Sequence, residues 1–263
     1  MVHLKSLVFN TLPQNTEEYP YSLPWLKTMT ELDMNSEVII FTGDNGSGKS
    51  TLMSHLADSL NLYRIQSSEN QAFKQRKDIK LIKPVYKTSR ALGYFFEAEA
   101  FITYLHYLQQ EKKDALNQLS IVEKEYKNKS EYAKNQAKAP YQNTLYQLNN
   151  LYEYDLTKRS HGEAYLDFFA SRMKPNQLLL LDEPETPLSS QNQLTLLAMI
   201  KEATEHNCQV IIATHSPILM SYPNALLYEI RKEGIQKVDY QDIESVKLLK
   251  QFINAPEQFL RHL

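Results

Sequence analysis

The chain has 263 residues, of which 42% are hydrophobic, and a net charge of −2. This composition is that of an ordinary globular protein with a buried core, and its near-neutral charge excludes a whole-protein basic field that would recruit nucleic acid. The single cysteine, Cys208, excludes an internal disulfide framework and a cysteine-rich zinc cluster. No apolar run reaches the length of a membrane helix, and the first ten residues predict a strand rather than a signal peptide. We therefore expect a cytoplasmic protein with no integral membrane segment.

The first informative segment in chain order is a cluster of glycines. Three of the six glycines fall within six residues, after an apolar β-branched run and before a helical pattern. The segment matches G-x-x-x-x-G-K-S in the strand–loop–helix setting that this motif requires. Glycines let successive amides point at phosphate oxygens, and the helix start adds free N–H groups. The predicted phosphate loop consists of Gly43, Asp44, Asn45, Gly46, Ser47, Gly48, Lys49, Ser50 and Thr51.

Two residues of this loop have predicted chemical roles. Lys49 would bring a positive charge to the β- and γ-phosphates, and Ser50 would offer a hydroxyl to Mg²⁺. The alternative is a glycine-rich turn that only joins a strand to a helix. Upstream of the loop, Tyr19 and Tyr21 are candidates to stack on adenine, with packing in an N-terminal strand hairpin as an equal alternative.

A helical arm is predicted between about Phe101 and Tyr154. This stretch has no glycine and one proline, Pro140, and it is rich in Lys, Glu, Gln and Tyr. Its leucine spacing predicts either one long helix or an antiparallel pair whose second helix lies beyond Pro140 and includes Leu145 and Leu151. Such an arm could carry a protein or nucleic-acid surface, although its lysines are interleaved with acids, a pattern that favours a solvated helix face.

The next helix begins with the pattern S-x-G-E. Ser160 and Glu163 form a predicted capping box for a helix that runs to about Arg172. The same serine, with Gly162 and the free N–H groups of the helix start, would also suit a γ-phosphate. Both interpretations remain open on the sequence alone.

Two acidic residues follow an unbroken apolar run at Leu178–Leu181. Such a run is typical of a parallel strand that is buried on both faces. Asp182 and Glu183 would then lie at the carboxyl edge of the sheet, where α/β proteins bind ligands. We expect Asp182 to hold Mg²⁺ and Glu183 to polarise an attacking water. The alternative is a strand that ends in two solvated acids.

A histidine ends the following strand. An amphipathic helix over Pro187–His206 and an apolar run through Ala213 predict a right-handed βαβ unit. His215 should therefore lie at the same sheet edge as Asp182 and contact the γ-phosphate, with a capping or loop histidine as the alternative. The remaining chain predicts a hairpin around Gly234 and two terminal helices, the second over 256–263.

In this order the elements resemble the ABC-type ATPases, and more closely the small bacterial ATPases related to the SMC, RecF and RecN group. The resemblance implies an α/β P-loop fold with a mostly parallel central sheet, an antiparallel N-terminal part and an inserted helical lobe. It implies one ATPase domain made of an N-terminal lobe (1–100), the helical arm (101–157) and a C-terminal part (158–263). The shared stretches are Gly43–Thr51, Tyr94–Phe101, Ser160–Leu166, Leu178–Ser189, Gln209–Met220 and Asn254–Leu263.

The resemblance also implies ATP hydrolysis with ATP and Mg²⁺ as cofactors. It assigns Asp182 to Mg²⁺, Glu183 to the catalytic base and His215 to a γ-phosphate switch. Ser160 and Gly162 become contacts made in trans, in a homodimer that closes over ATP. The corresponding loop assignments are Lys49 for the phosphates and Ser50 for phosphate and metal.

Three positions depart from the pattern of transporter ATPases. His161 replaces a usual glycine, Ser189 replaces a usual aspartate, and Glu97 or Glu99 falls where a glutamine is usual. We expect an ATPase that couples its cycle to conformational change in DNA maintenance or phage defence, with a protein effector or DNA as a partner. The alternatives are an ATPase subunit of a membrane transporter and a slow nucleotide-dependent switch that recruits a separate effector.

Overall fold

The computed structural model describes residues 1–10, 19–64, 81–87, 92–150, 155–156 and 159–261. These residues form two compact units. The first unit contains the described residues up to Arg64, those from 81 to Ala98, and those from Met173 onward. The second contains the described residues from Glu99 to Arg172. The first unit thus contains the predicted phosphate loop and two strands that end in an acid, at Glu97 and at Asp182. The second unit contains the helical arm and the S-x-G-E helix.

The helices and strands follow one another along the chain in a largely alternating order. The strands are β1 (Leu4–Phe9), β2 (Glu31–Asp33), β3 (Val38–Gly43), β4 (Tyr63–Arg64), β5 (Ile82–Tyr86), β6 (Gly93–Glu97), β7 (Leu178–Asp182), β8 (Gln209–Ala213), β9 (Leu226–Arg231) and β10 (Gly234–Lys237). The helices are α1 (Pro24–Thr28), α2 (Lys49–Leu60), α3 (Ala98–Glu125), α4 (Glu131–Asn150), α5 (His161–Arg172), α6 (Ser190–Glu205), α7 (Pro217–Met220), α8 (Glu244–Asn254) and α9 (Pro256–Leu260). Within the described residues, no helix combines the length and the hydrophobicity needed to cross a membrane.

The main sheet of the first unit has the strand order β10-β9-β3-β8-β7-β6-β4. All of its pairings are parallel except that of β9 with β10, which forms the predicted antiparallel hairpin. Every residue of β7 and of β8 is buried, as expected for parallel strands covered on both faces. The predicted mostly parallel α/β fold is confirmed.

A small antiparallel sheet, ordered β2-β1-β5, supplies the predicted antiparallel N-terminal part. Gln209 fastens β1 to the start of β8. Its fully buried amide accepts hydrogen bonds from the backbone N–H groups of His3 and Leu4, and it donates to the carbonyls of Met34 and Ser36. Four buried backbone groups are therefore paired by one side chain.

The parallel pairing brings several strand ends to one edge of the main sheet. Asp182 at the end of β7 is paired in register with Ala213 on β8 and with Glu97 on β6. Gly43, at the end of β3, enters the glycine loop at the same edge. The predicted βαβ unit is confirmed, and α2 buries Leu52 and Leu56 in the core beside the sheet. This edge is therefore the place to look for a ligand.

The second unit is helical, and its second long helix differs from the sequence prediction. Helices α3 and α4 are separated by residues 126–130, so one continuous helix over 102–138 is wrong. Helix α4 starts at Glu131 and continues through Pro140 rather than beginning after it, because a proline removes one helical hydrogen bond without always ending the helix. Leu151, which the prediction included, lies outside the described residues.

Packing within the second unit is aromatic around α5. The rings of Phe101 and Tyr165 meet edge to face with centroids 5.3 Å apart, and Phe168 packs on Phe101 at the same distance. An ion pair of 2.9 Å joins Lys138 on α4 to Glu123 on α3. These contacts lie within the helical unit, which includes α5, whereas the sequence predicts α5 as part of the C-terminal stretch 158–263.

The chain after the hairpin forms the two predicted terminal helices. Helix α8 begins at Glu244, and α9 begins with Pro256 at its first position. A 3-10 turn, Tyr240–Asp242, precedes them, and the Tyr240 hydroxyl donates to the Pro217 carbonyl. Leu263, the predicted end of the last helix, lies outside the described residues.

Candidate nucleotide-binding site

The glycine loop has a backbone that other residues would adopt only with strain. Gly43 and Gly48 have φ values of 144° and 97°. A Cβ at Gly43 would lie 2.5 Å from the Ile230 carbonyl oxygen, and one at Gly48 would lie 2.9 Å from Trp25 Nε1. Both positions therefore require glycine, since neither the φ angle nor the space admits a side chain. Between them, residues 44–46 are exposed at the sheet edge.

The buried side chain of Trp25 supports the glycine loop through a hydrogen bond. Its side chain is 1% exposed, and its Nε1–H donates to the Ser47 carbonyl at 3.0 Å. In the sequence, a lone tryptophan upstream of the loop gives no sign of this hydrogen bond. Its indole fixes one loop carbonyl, and this helps to hold the loop in shape.

Lys49 begins α2, and its amine turns back into the loop. The side chain is 4% exposed, and Nζ donates to the carbonyls of Gly43 and Asp44, each at 3.0 Å. Burial lowers the pKa of this amine, while the carboxylates of Glu183 and Asp182 oppose that shift. A buried cation thus lies among loop carbonyls, where phosphate oxygens could take their place as its partners.

Asp182 and Ser50 bring two oxygen-bearing side chains together beside Lys49. Asp182 is 8% exposed, and burial raises its pKa to about 7, although a hydrogen bond from the Ser50 side chain opposes that shift. Its Oδ1 atom is buried and has no hydrogen-bond partner among the residues that the structure describes. Such an orphaned carboxylate oxygen suits a hard cation.

The number of protein ligands also fits Mg²⁺. No group of three or more His, Cys, Asp and Glu residues in the described ranges is arranged to hold a metal by itself. Mg²⁺ usually takes one or two protein oxygens and completes its shell with phosphates and waters. Ser50 and Asp182 fit that mode of binding.

Glu183 and His215 face each other at the sheet edge. His215 Nε2 lies 3.6 Å from Glu183 Oε1, and Nε2 is buried without a hydrogen-bond partner. Glu183 has a φ of 47°, and its N–H donates to the Ala213 carbonyl at 2.8 Å. A non-glycine residue in this region costs about 1–3 kcal/mol and persists where the surroundings hold it. Such strain is common at functional sites.

Glu185 was missed by the sequence analysis and lies next to this pair. Its Oε1 accepts hydrogen bonds from the backbone N–H groups of His215, at 2.6 Å, and Ser216, at 3.1 Å. The Ser216 hydroxyl in turn donates to Gln193 Oε1 at 2.5 Å. The available signal was the second glutamate of D-E-P-E. Its hydrogen-bond partners lie after the next strand, and only the fold shows which residues they are.

Of the two acids at the glutamine position, Glu97 is the one beside Asp182. Glu97 ends β6 in register with Asp182, and its Oε2 lies 4.0 Å from Arg64 Nη1. Its charge contributes to the raised pKa of Asp182. Glu99 belongs to the second unit, where its carbonyl accepts a hydrogen bond from Thr103.

The two upstream tyrosines have different surroundings. Tyr19 is 63% exposed, and its hydroxyl contacts the Thr51 hydroxyl at the start of α2. Tyr21 is partly buried against the core of the first unit. Neither residue lies in a strand. Tyr19 alone presents an exposed ring next to the loop.

Ser160 caps α5 in the second unit. Its N–H and hydroxyl both donate to Glu163 Oε2, at 3.1 and 2.7 Å, and Glu163 N–H donates back to the Ser160 oxygen. The predicted capping box is therefore present. Ser160 is exposed at the helix start, and Gly162 is buried within the first turn.

A parallel sheet, a glycine loop leading into a helix and a carboxylate beside the loop lysine define a P-loop nucleotide-binding protein. The chain belongs to the RecF/RecN/SMC N-terminal domain family, whose model matches residues 25–236. The resemblance to ABC-type ATPases of the SMC and RecF group is thereby confirmed, and the family implies ATP binding with Mg²⁺.

Three relatives illustrate the similarity. The chain is 31% identical over 108 residues to a protein of Haemophilus influenzae named "Uncharacterized ABC transporter ATP-binding protein", and the match covers 40% of this chain and 41% of that protein. The SMC head domain from Thermotoga maritima is 16% identical at a TM-score of 0.45, over 90% of this chain and 99% of that one. The protein cbiO1 from Clostridium perfringens, part of the ABC transporter complex cbiONQ, is 14% identical at a TM-score of 0.47. That match covers 99% of this chain and 100% of cbiO1.

Proposed function

We propose that the chain binds Mg-ATP at the carboxyl edge of the main sheet and hydrolyses its terminal phosphoanhydride bond. One observation carries the proposal. The fold brings the buried amine of Lys49 and the carboxylates of Asp182 and Glu183 together beside a glycine loop, although they are far apart in sequence. Phosphoryl transfer requires mainly positioning and charge neutralisation, which these groups supply.

The loop and α2 would bind the triphosphate. Loop amides and the start of α2 face the phosphates, and Lys49 exchanges its two carbonyl partners for β- and γ-phosphate oxygens. Ser50 and Asp182 would hold Mg²⁺, which neutralises charge on the phosphates when bound. Tyr19 would place its exposed ring on the adenine.

Glu183 would act as the general base for the attacking water. Its carboxylate is partly exposed at the sheet edge, next to His215 Nε2. The imidazole would orient the γ-phosphate and the water, since its unpaired Nε2 can accept or donate a hydrogen bond according to the tautomer. The last residue of β7 and the residue after it would therefore supply the metal ligand and the base.

The catalytic state would be a homodimer with ATP at its interface. Ser160 and Gly162 of one copy would contact the γ-phosphate that is held by the loop of the other copy. The capping box supports this role, because it keeps the Ser160 hydroxyl at an exposed helix start. ATP binding would close the dimer and hydrolysis would open it.

We assign this cycle to DNA maintenance or defence against phage, in the cytoplasm, with DNA or a protein effector as the partner. Membership of the RecF/RecN/SMC N-terminal domain family supports this assignment. A transporter subunit is the second candidate, because the Haemophilus influenzae relative has a transporter name. A slow switch that recruits an effector would share the same site and differ in its turnover.

The test compares wild type with Glu183→Gln, using Glu205→Gln, at an exposed acid on α6, as the matched control. We expect wild type and the control to hydrolyse ATP, and Glu183→Gln to bind ATP, to lose turnover and to accumulate as a dimer in light scattering. A Glu183→Gln protein that stays monomeric with saturating Mg-ATP would contradict the dimer. Undiminished turnover by Glu183→Gln would contradict the role of the base.

A further inference from the structure

We propose that Glu185 is a positioning residue that holds His215 against Glu183 through the main chain. This inference rests on the proposed hydrolysis but assigns a role to a residue outside the loop, the metal pair and the general base. The relationship that carries it is the pair of hydrogen bonds from the N–H groups of His215 and Ser216 to one carboxylate oxygen, Glu185 Oε1.

These hydrogen bonds connect two segments that bear the proposed chemistry. Glu185 follows β7 and lies two residues after Glu183, whereas His215 follows β8. The strands are paired only as far as Asp182 and Ala213, so the Glu185 carboxylate extends the connection beyond the sheet. A charged acceptor makes a hydrogen bond roughly twice as strong as a neutral one does. The backbone that carries the imidazole is thus fixed to the backbone that carries the base.

A second connection reinforces the first. The Ser216 hydroxyl donates to Gln193 Oε1 on α6, and Gln193 Nε2 donates to the Leu188 carbonyl at 3.3 Å. Leu188 N–H donates to the Glu185 carbonyl at 2.8 Å. Two side chains, those of Glu185 and Gln193, therefore hold the segment after β8, and both accept hydrogen bonds from Ser216.

No hydrogen bond from the described residues holds the Nε2 atom of the His215 ring. This atom is buried, and its distance to Glu183 Oε1 is 3.6 Å, beyond a hydrogen bond. The orientation of the ring therefore depends on where its backbone is held. Glu185 accepts from the His215 N–H itself, whereas the Ser216 N–H is shared between Glu185 and Thr214 Oγ1, which lies at 2.9 Å. Loss of the Glu185 acceptor should move or loosen the imidazole while the phosphate loop stays intact.

Three substitutions separate geometry from charge. Glu185→Gln keeps a side-chain oxygen at the same reach but removes the charge, Glu185→Asp keeps the charge but shortens the side chain by one methylene, and Glu185→Ala removes both. Loss of two charge-assisted hydrogen bonds predicts that Glu185→Ala lowers kcat roughly ten- to a hundredfold with little change in KM for ATP. Glu185→Gln should lose less activity than Glu185→Asp. Glu205→Ala is the matched control.

A double-mutant cycle tests whether Glu185 acts through His215. In a His215→Ala background, Glu185→Ala should cause little further loss of kcat, because the group that it positions is already gone. An additive loss would overturn the proposal. Greater activity of Glu185→Asp than of Glu185→Gln would also overturn it, since the shortened side chain no longer reaches the two N–H groups that the proposal requires.

An NMR measurement without nucleotide tests the positioning independently of hydrolysis. The imidazole resonance of His215, assigned by its loss in His215→Gln, should shift or broaden in Glu185→Ala and remain close to wild type in Glu185→Gln. An unchanged resonance in folded Glu185→Ala protein would overturn the proposal. If wild type does not hydrolyse ATP, the proposed function fails while this spectrum still decides the role of Glu185. If Glu185→Ala does not fold, the comparison of the Gln and Asp variants decides it.

Discussion

Glu97 and Asp182 stand side by side at the ends of two paired parallel strands, in register with one another. Both carry carboxylates, and Glu97 contributes to the raised pKa of Asp182. Two acids at adjacent strand ends are unfavourable unless a cation lies between or near them. Arg64 Nη1 lies 4.0 Å from Glu97 Oε2, and the positive charge of the Lys49 amine opposes the rise in the pKa of Asp182. The sheet edge therefore carries concentrated negative charge beside a buried cation, which is the environment that a metal-bound triphosphate would complete.

The raised pKa of Asp182 predicts a pH-dependent stability. The native state holds this proton up to a pH of about 7, whereas the unfolded chain releases it near 3.8, so the native state binds more protons between these values. The free energy of unfolding should therefore fall as pH rises from about 4 to about 7, by up to about 4 kcal/mol. Asp182→Asn should remove this dependence in urea denaturation without nucleotide. An Asn variant whose stability falls with pH as steeply as that of wild type would contradict this account.

Replacement of Gln209, which lies away from the candidate site, should cause a large loss of stability. Gln209→Leu keeps the apolar volume but leaves the N–H groups of His3 and Leu4 and two carbonyls without their partner. Each orphaned group costs about 1–3 kcal/mol before relaxation, so we expect a loss of at least about 2 kcal/mol in chemical denaturation. Gln236→Leu, on the exposed face of β10, is the matched control and should change little. Equal stability of the two variants would contradict the assigned role.

Trp25 predicts a specific effect on nucleotide binding. Trp25→Phe keeps most of the buried aromatic volume and removes the hydrogen bond to the Ser47 carbonyl. A neutral hydrogen bond is worth about 1 kcal/mol, so the affinity for ATP should fall several-fold when measured by titration calorimetry. The melting temperature provides the control for packing. If ATP affinity is unchanged in the folded variant, the indole N–H does not support the loop.

Replacement of Ser160 should separate ATP binding from ATP hydrolysis. Ser160→Arg should abolish ATP hydrolysis by blocking the contact in trans, while the monomer still binds ATP with the affinity of wild type. Ser130 caps α4 in the same unit through the Ala133 N–H, so Ser130→Arg is a matched control that should retain turnover. Parallel loss of ATP binding and turnover in Ser160→Arg would mean that the serine acts within its own chain or only as a cap.

The sequence predicts those parts of the site that follow from motifs within one segment. The glycine loop, the apolar run before Asp182 and the capping box of Ser160 are local patterns with local causes. Glu185 and Trp25 could not be predicted in the same way, because their partners belong to other segments and depend on the register of the strands. Pro140 shows the opposite case, since an exposed helix continued through a residue that local propensity predicts as its boundary.

The most direct test of the account is the affinity for Mg-ATP of Lys49→Ala, compared with Lys27→Ala. Lys27 is an exposed lysine on α1 of the same unit, so the two variants remove the same charge at different places. Loss of the buried amine should weaken binding by about tenfold or more in titration calorimetry, whereas Lys27→Ala should bind like wild type. Equal affinity of Lys49→Ala and Lys27→Ala would contradict the claim that this loop holds the triphosphate.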